Sequence, residues 1–182
     1  MQIYRPYLFM FKIAISGPES TGKTEIAKQL AQHFIGEWMP EFAREYIEKL
    51  DRRYTYEDVC VIAEQQILEQ NRFEKENSPG FVFFDTDLII TKVWFEYCFG
   101  KVPELVTAQL NKNYFDFYLL CYHDLEWMPD PVREHGDDRQ FFFDLYKTEI
   151  EKTGKPYAIV TGKGEMRIEN AIKAVEKYFE TR

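Results

Sequence analysis

Residues Gly17-Pro18-Glu19-Ser20-Thr21-Gly22-Lys23-Thr24 satisfy the pattern G-x-x-x-x-G-K-S/T. Glycines at those two places let successive backbone N–H groups curl around a phosphate at the positive end of the following helix. Lys23 then reaches the β- and γ-phosphates of a nucleoside triphosphate as a point charge. The Thr24 hydroxyl sits on a Mg²⁺ that bridges the same two groups.

Three further clusters carry chemistry of the same kind. In "FVFFDTD" an apolar run ends in Asp85-Thr86-Asp87. An acid after a buried strand helps hold Mg²⁺ in a P-loop protein, and a second acid two residues on takes the proton of an acceptor hydroxyl. The competing reading of Asp87 is a plain helix cap. In "PEFAREY", Glu41, Arg44 and Glu45 combine charges that suit ribose hydroxyls or a phosphate, or else form a solvated helical face. In "HDLEWMPDPVREHGDDR", Arg133 and Arg139 have the charge to close over a transferred phosphate; pairing with Asp137 or Asp138 at the surface is the plainer alternative. His33, His123 and His135 form no constellation and receive no chemical role.

The elements that must position these groups alternate. "FMFKIAIS" reads as a buried strand and "TEIAKQLAQHF" as its helix. "EWM" is a short second strand, followed by helices over "FAREYIEKL" and "YEDVCVIAEQQILEQNRFEKEN", the latter opened by Thr55 with Asp58 as a capping pair. After the break "NSPG" come strand "FVFFD", helix "LIITKVWFEYCF" ended by Gly100, helix "PELVTAQLNKN" and strand "FDFYLLCY". Residues 123–139 lack apolar period and form a lid loop. Helix "QFFFDLYKTEIEKT", strand "PYAIVTG" and helix "EMRIENAIKAVEKYF" close the chain. The expected architecture is α/β: a P-loop NTPase fold whose parallel sheet of about five strands has helices on both faces, like the nucleoside and nucleotide kinases.

Composition narrows the class. The 182 residues, 45% of them hydrophobic, suit one domain over residues 11–182, with residues 1–10 as an N-terminal extension. A net charge of −8 argues against nucleic acid as a partner. Lys12 interrupts the first apolar run, which reads against a cleavable leader, and no stretch is long enough to span a bilayer. Cys60, Cys98 and Cys121 are few, odd in number and set in apolar segments, which predicts reduced thiols and a cytoplasmic protein.

From Phe11 onward the order "GPESTGKT", "EFARE", "FFDTDLIIT", "EWMPDPVREHGDDR" resembles the ribosylnicotinamide kinase domain of NadR-type proteins. The acid-threonine-acid with Thr91 beyond it, and the Glu-Trp lid with Arg133, Gly136 and Arg139, are narrower features than the P-loop. The resemblance implies ATP and Mg²⁺ as donor and cofactor, and phosphorylation of the 5′-hydroxyl of nicotinamide riboside. It implies ATP binding by residues 17–24, metal and hydroxyl work by Asp85 and Asp87, and lid arginines at 133 and 139. Such domains hold the pyridine ring between aromatic side chains; Trp38, with Trp127 as a second choice, is the candidate here beside Glu41 and Arg44. The nucleotidyltransferase domain of full-length members has no room before residue 17, so a stand-alone kinase without dinucleotide-forming activity is expected.

Other readings share part of these requirements. A P-loop kinase for another nucleoside or a nucleoside monophosphate shares them all, and a regulatory ATP-binding module without turnover shares the loop. A GTPase would need Asn-Lys-x-Asp, whereas "NKNY" at Asn111 lacks the acid. An AAA-type motor would need a separate helical domain, for which this length leaves no space.

Overall fold

In the computed structural model, alternation along the strands divides the apolar side chains between two faces of one sheet. The structure describes residues 9–76, 79–130 and 137–180. Strand β1 (Met10–Ser16) leads to helix α1 (Lys23–Phe34), β2 (Glu37–Met39), α2 (Phe42–Glu48) and α3 (Tyr56–Glu76). There follow β3 (Gly80–Asp85), α4 (Leu88–Phe99), α5 (Glu104–Leu110), β4 (Phe117–Cys121), α6 (Arg139–Lys152), β5 (Tyr157–Val160) and α7 (Gly164–Glu180). All four strand pairings are parallel, in the order β2-β3-β1-β4-β5.

Odd-numbered residues of the central strands, Ile13, Ile15, Phe81, Phe83, Phe117 and Leu119, pack with Ile26 and Leu30 of α1 and Val175 of α7. Their even-numbered neighbours, Ala14, Val82, Phe84, Tyr118 and Leu120, meet Ile89 and Val93 of α4 and Phe142, Phe143 and Ile150 of α6. Each such fully buried large apolar side chain contributes about 1.5–3 kcal/mol. A third cluster, Val59, Ala63, Leu88, Phe95 and Val106, joins α3, α4 and α5. Near-continuous apolar strands are what a sheet covered on both sides requires.

Thr55 and Asp58 form the expected reciprocal cap: the Thr55 N–H donates to Asp58 Oδ2 at 2.7 Å and the Asp58 N–H to Thr55 Oγ1 at 3.4 Å. Arg52 grips the same carboxylate at 2.6 and 3.0 Å, and Tyr46 of α2 donates to it at 3.0 Å. The Arg52 guanidinium, with these bonds, holds Asp58 well below the usual carboxylate range and ties α2 to α3.

The strand order reverses at β1, because the chain builds β2 and β3 on one side before crossing to β4 and β5. Ligands of open α/β sheets bind at such a point, outside the carboxyl ends of the strands. Among the described residues no helix is long and apolar enough to cross a membrane.

Candidate functional site

The loop from Gly17 to Gly22 joins the carboxyl end of β1 to the first turn of α1. Gly17 has φ 140°, and a Cβ there would stand 2.7 Å from the carbonyl oxygen of Cys121 on β4, so both conformation and space demand glycine. Gly22, at φ 76°, is the cap residue of α1 and makes no side-chain bond, which leaves the helix N-terminus open to an anion. The Thr21 hydroxyl closes the loop on Pro18 O at 2.8 Å. Lys23 folds back over it, donating to the carbonyls of Gly17 and Pro18 at 2.9 and 3.0 Å.

β3 delivers Asp85 beside this loop, with its end held by Thr86 N–H donating to Ile15 O at 3.1 Å. Asp85 is buried, and neither of its oxygens has a hydrogen-bond partner among the described residues. Burial pushes its carboxyl up; the Thr24 hydroxyl, near it without a bond of good geometry, and the Lys23 charge oppose the shift. A divalent ion is what two orphaned carboxylate oxygens next to a hydroxyl fit. Among the described residues no three His, Cys, Asp or Glu groups cluster as a metal cage. Mg²⁺ at a nucleotide site does not need one, since one or two carboxylates, substrate phosphates and water complete its shell.

Asp87 caps α4. Its Oδ1 accepts from the N–H groups of Ile89 and Ile90 at 3.0 and 3.1 Å, while Oδ2 is buried without a partner among the described residues. Capping therefore uses one oxygen and leaves the other for different work. Burial pushes the carboxyl up to about 6, against the two helix N–H bonds. Thr86 between the two acids has φ 82°, a strained conformation for a β-branched residue. Thr91, one turn into α4, donates to Gln66 of α3 at 2.7 Å.

Glu41 and Arg44 face the same cleft from the start of α2. Burial raises the Glu41 carboxyl, opposed by Lys23 and reinforced by Asp85. Arg44 donates to Asp130 at 2.8 Å and to Glu48 at 3.3 Å. Glu45 turns to solvent and pairs with Lys49 at 2.6 Å, so only part of the charged helix start belongs to the site.

The cleft encloses about 390 Å³ between the phosphate loop, α2 and a wall of Tyr54, Ile90, Trp94, Tyr97, Phe142 and Tyr146. Tyr54 meets Trp94 edge-on at 4.8 Å, and Tyr97 meets Phe142 at 5.0 Å. Sequence reasoning missed this wall; the signal was an aromatic pair three residues apart on α4, Trp94 and Tyr97, with no apolar neighbour demanded at the second. Trp38 and Trp127 are not among the residues lining the cleft. Trp38 lies on β2 at the sheet edge, with Lys28 Nζ 4.5 Å from the centre of its ring. The Trp127 indole N–H is buried without a partner among the described residues.

The start of the lid is fastened to the loop. Ser20 Oγ donates to Glu126 O at 3.3 Å and accepts from Met128 N–H at 3.0 Å. Arg139, the first residue of α6 and not part of a loop, donates to Leu125 O at 2.8 Å. Arg133, His135 and Gly136 lie outside the described residues. Buried Arg167, absent from the sequence reading, donates to Thr21 O, Asp124, Gly162 O and Tyr122 O at 3.1, 2.6, 3.0 and 2.7 Å.

A family model described as an AAA domain matches residues 12–167. Two curated relatives are the trifunctional NAD biosynthesis/regulator protein NadR of Salmonella typhimurium and of Escherichia coli. The first is 26% identical over 145 residues, 75% of this chain and 35% of the relative. The second is 25% identical over 152 residues, 79% and 36% respectively. Among solved structures, a NadR protein in complex with NR superposes with a TM-score of 0.73 at 25% identity, over 96% of this chain and 53% of the other. A NadR protein in complex with NAD and AMP-PNP gives 0.68 at 25% identity, over 93% and 50%. Thymidylate kinase from Ehrlichia chaffeensis, at 16% identity and a TM-score of 0.63 over 94% of this chain and 99% of that one, shares the fold. The chain spans about a third of the curated relatives it matches (35% and 36%).

Proposed function

This chain belongs to the family described as an AAA domain, and from that premise we propose that it is an ATP-dependent kinase for the 5′-hydroxyl of nicotinamide riboside, giving nicotinamide mononucleotide. The observation that carries the proposal is one cleft in which the phosphate loop, Thr86 between the two buried acids, and an aromatic wall converge. The likeness to NadR proteins, one in complex with NR and one with AMP-PNP, points to small-molecule transfer and away from a motor. Residues 11–182 act as the kinase domain with a lid that ends where α6 begins at Arg139, and the free thiols of Cys60, Cys98 and Cys121 suit a cytoplasmic enzyme.

The loop amides and Lys23 bind the donor phosphates and stabilise charge on the transferred group. Thr24 and Asp85 would hold a Mg²⁺, which would supply positive charge against the donor phosphates. The acceptor oxygen forms its bond to the γ-phosphorus while the bond to the β,γ-bridging oxygen breaks and ADP leaves. The hydroxyl proton passes to Asp87, whose Oδ2 has no partner among the described residues. Trp94 and Tyr97 offer faces on which a cationic pyridinium ring gains about 0.5–2 kcal/mol, and Glu41 adds a carboxyl at the same cleft.

Incubating the protein with Mg-ATP and nicotinamide riboside, uridine, thymidine or nucleoside monophosphates tests this directly. The expected result is riboside-dependent ADP release with nicotinamide mononucleotide as product. Faster turnover of any other acceptor, or none at all, overturns it.

A further inference from the structure

Resting on the acceptor cleft just described, we propose that Asp130 is a specificity-determining residue: by occupying Arg44 it excludes acceptors that already carry a phosphate. Lys23 and Arg44 are the cationic side chains that line the cleft among the described residues, against the carboxyls of Glu19, Glu25 and Glu41. Lys23 is bound to the loop and committed to the donor. Among the described residues that leaves Arg44, on the acceptor side, as the cationic group with which a nucleoside monophosphate would pair.

Arg44 is already engaged. Its Nη1 lies 2.8 Å from Asp130 Oδ2, whose side chain is 20% exposed, and 3.3 Å from Glu48, whose side chain is 53% exposed. The shorter contact is with the more buried carboxylate, so Asp130 is the stronger partner and Glu48 the weaker one. An incoming phosphate dianion must displace Asp130 from Arg44 and itself stand near Glu41. A neutral or cationic nucleoside meets no such cost. Asp130 lies 86 residues from Arg44, so the same contact also ties the segment after β4 to α2. A purely structural latch would alter stability and lid closure for every acceptor alike; a charge filter alters the ratio between acceptors.

The test compares nicotinamide riboside with uridine 5′-monophosphate in the full chain, both as acceptors and with the monophosphate as an inhibitor against the riboside. Asp130→Asn, and Asp130→Ser as a second variant, are expected to lower the inhibition constant of the monophosphate about tenfold or more relative to the KM of the riboside. Adding Arg44→Gln to Asp130→Asn should return that ratio to the wild-type value. If the wild type prefers nucleosides yet neither Asp130 variant shifts the ratio, the inference is wrong and the acceptor reading stands. If the wild type prefers the monophosphate, the acceptor reading falls first and the filter with it.

Discussion

Arg167 Nη1 lies 2.6 Å from Asp124 Oδ1, and the second oxygen of the same carboxylate accepts from Gly162 N–H at 2.6 Å. The guanidinium also reaches Thr21 O, so one buried ion pair ties the phosphate loop to the ends of β4 and β5. Asp124→Asn strands a buried cation. The expected loss is about 2–4 kcal/mol, below the fully buried case because Asp124 keeps 25% of its side chain exposed. Urea unfolding checks the loss, and KM for ATP should rise because the loop loses its anchor. An unchanged urea midpoint would show the pair to be dispensable.

Asp87 should matter in opposite senses to stability and to turnover. Its folded pKa is raised from 3.8 to about 6, so the folded chain keeps the proton to higher pH than the unfolded chain does. Stability from this group therefore falls as pH rises between those values and stays lower above them. Asp87→Asn keeps an oxygen for the helix cap and removes the cost of the buried charge, for a gain on the order of 2 kcal/mol at pH 8. Transfer should fall by about 10²–10⁴. Thermal melts at pH 8 and pH 4 check the sign: the gain should be confined to the higher pH.

The same group sets a pH limit on the reaction. A base must be unprotonated to accept the hydroxyl proton, so kcat/KM for the acceptor should rise as pH rises through about 6. A profile flat from pH 5 to pH 8, taken with saturating Mg-ATP, would remove Asp87 from proton transfer.

Lys23→Ala should leave the fold intact, because among the described residues the side chain bonds to the carbonyls of Gly17 and Pro18 in its own loop. Its charge is needed where the transition state concentrates negative charge, and a loss of about 10²–10³ in kcat is expected. Asp85→Asn should instead raise the Mg²⁺ concentration needed for half-maximal rate. Circular dichroism and a Mg²⁺ titration of both variants separate the two effects.

On the acceptor side, Trp94→Leu keeps apolar volume while removing the aromatic face. KM for the riboside should rise by about 3- to 30-fold, the equivalent of 0.5–2 kcal/mol of ring contact. Trp38→Leu on the edge strand should change it far less. Equal effects from the two would deny the aromatic wall its role.

The local parts of this protein were legible in the sequence because one or two turns of backbone suffice to make them. The phosphate loop needs only its glycines, lysine and threonine in register, and the capping pair Thr55–Asp58 needs only a three-residue spacing. Alternating burial on β1, β3 and β4 follows from side-chain direction along a strand, and the parallel pairing of β1 with β3 brings Asp85 to the carboxyl ends of the strands, where Gly17 follows β1. Partners distant along the chain were not legible. Arg167 and Asp124 are 43 residues apart, Arg44 and Asp130 86, and the aromatic wall draws on α4, α6 and the Tyr54 segment. Nothing in the local pattern of "FAREY" or "EMRIEN" distinguishes an arginine that stays partly exposed from one that is buried. That choice is made when strand order and helix packing set which carboxylate and which carbonyls stand within reach, and only the assembled sheet determines it.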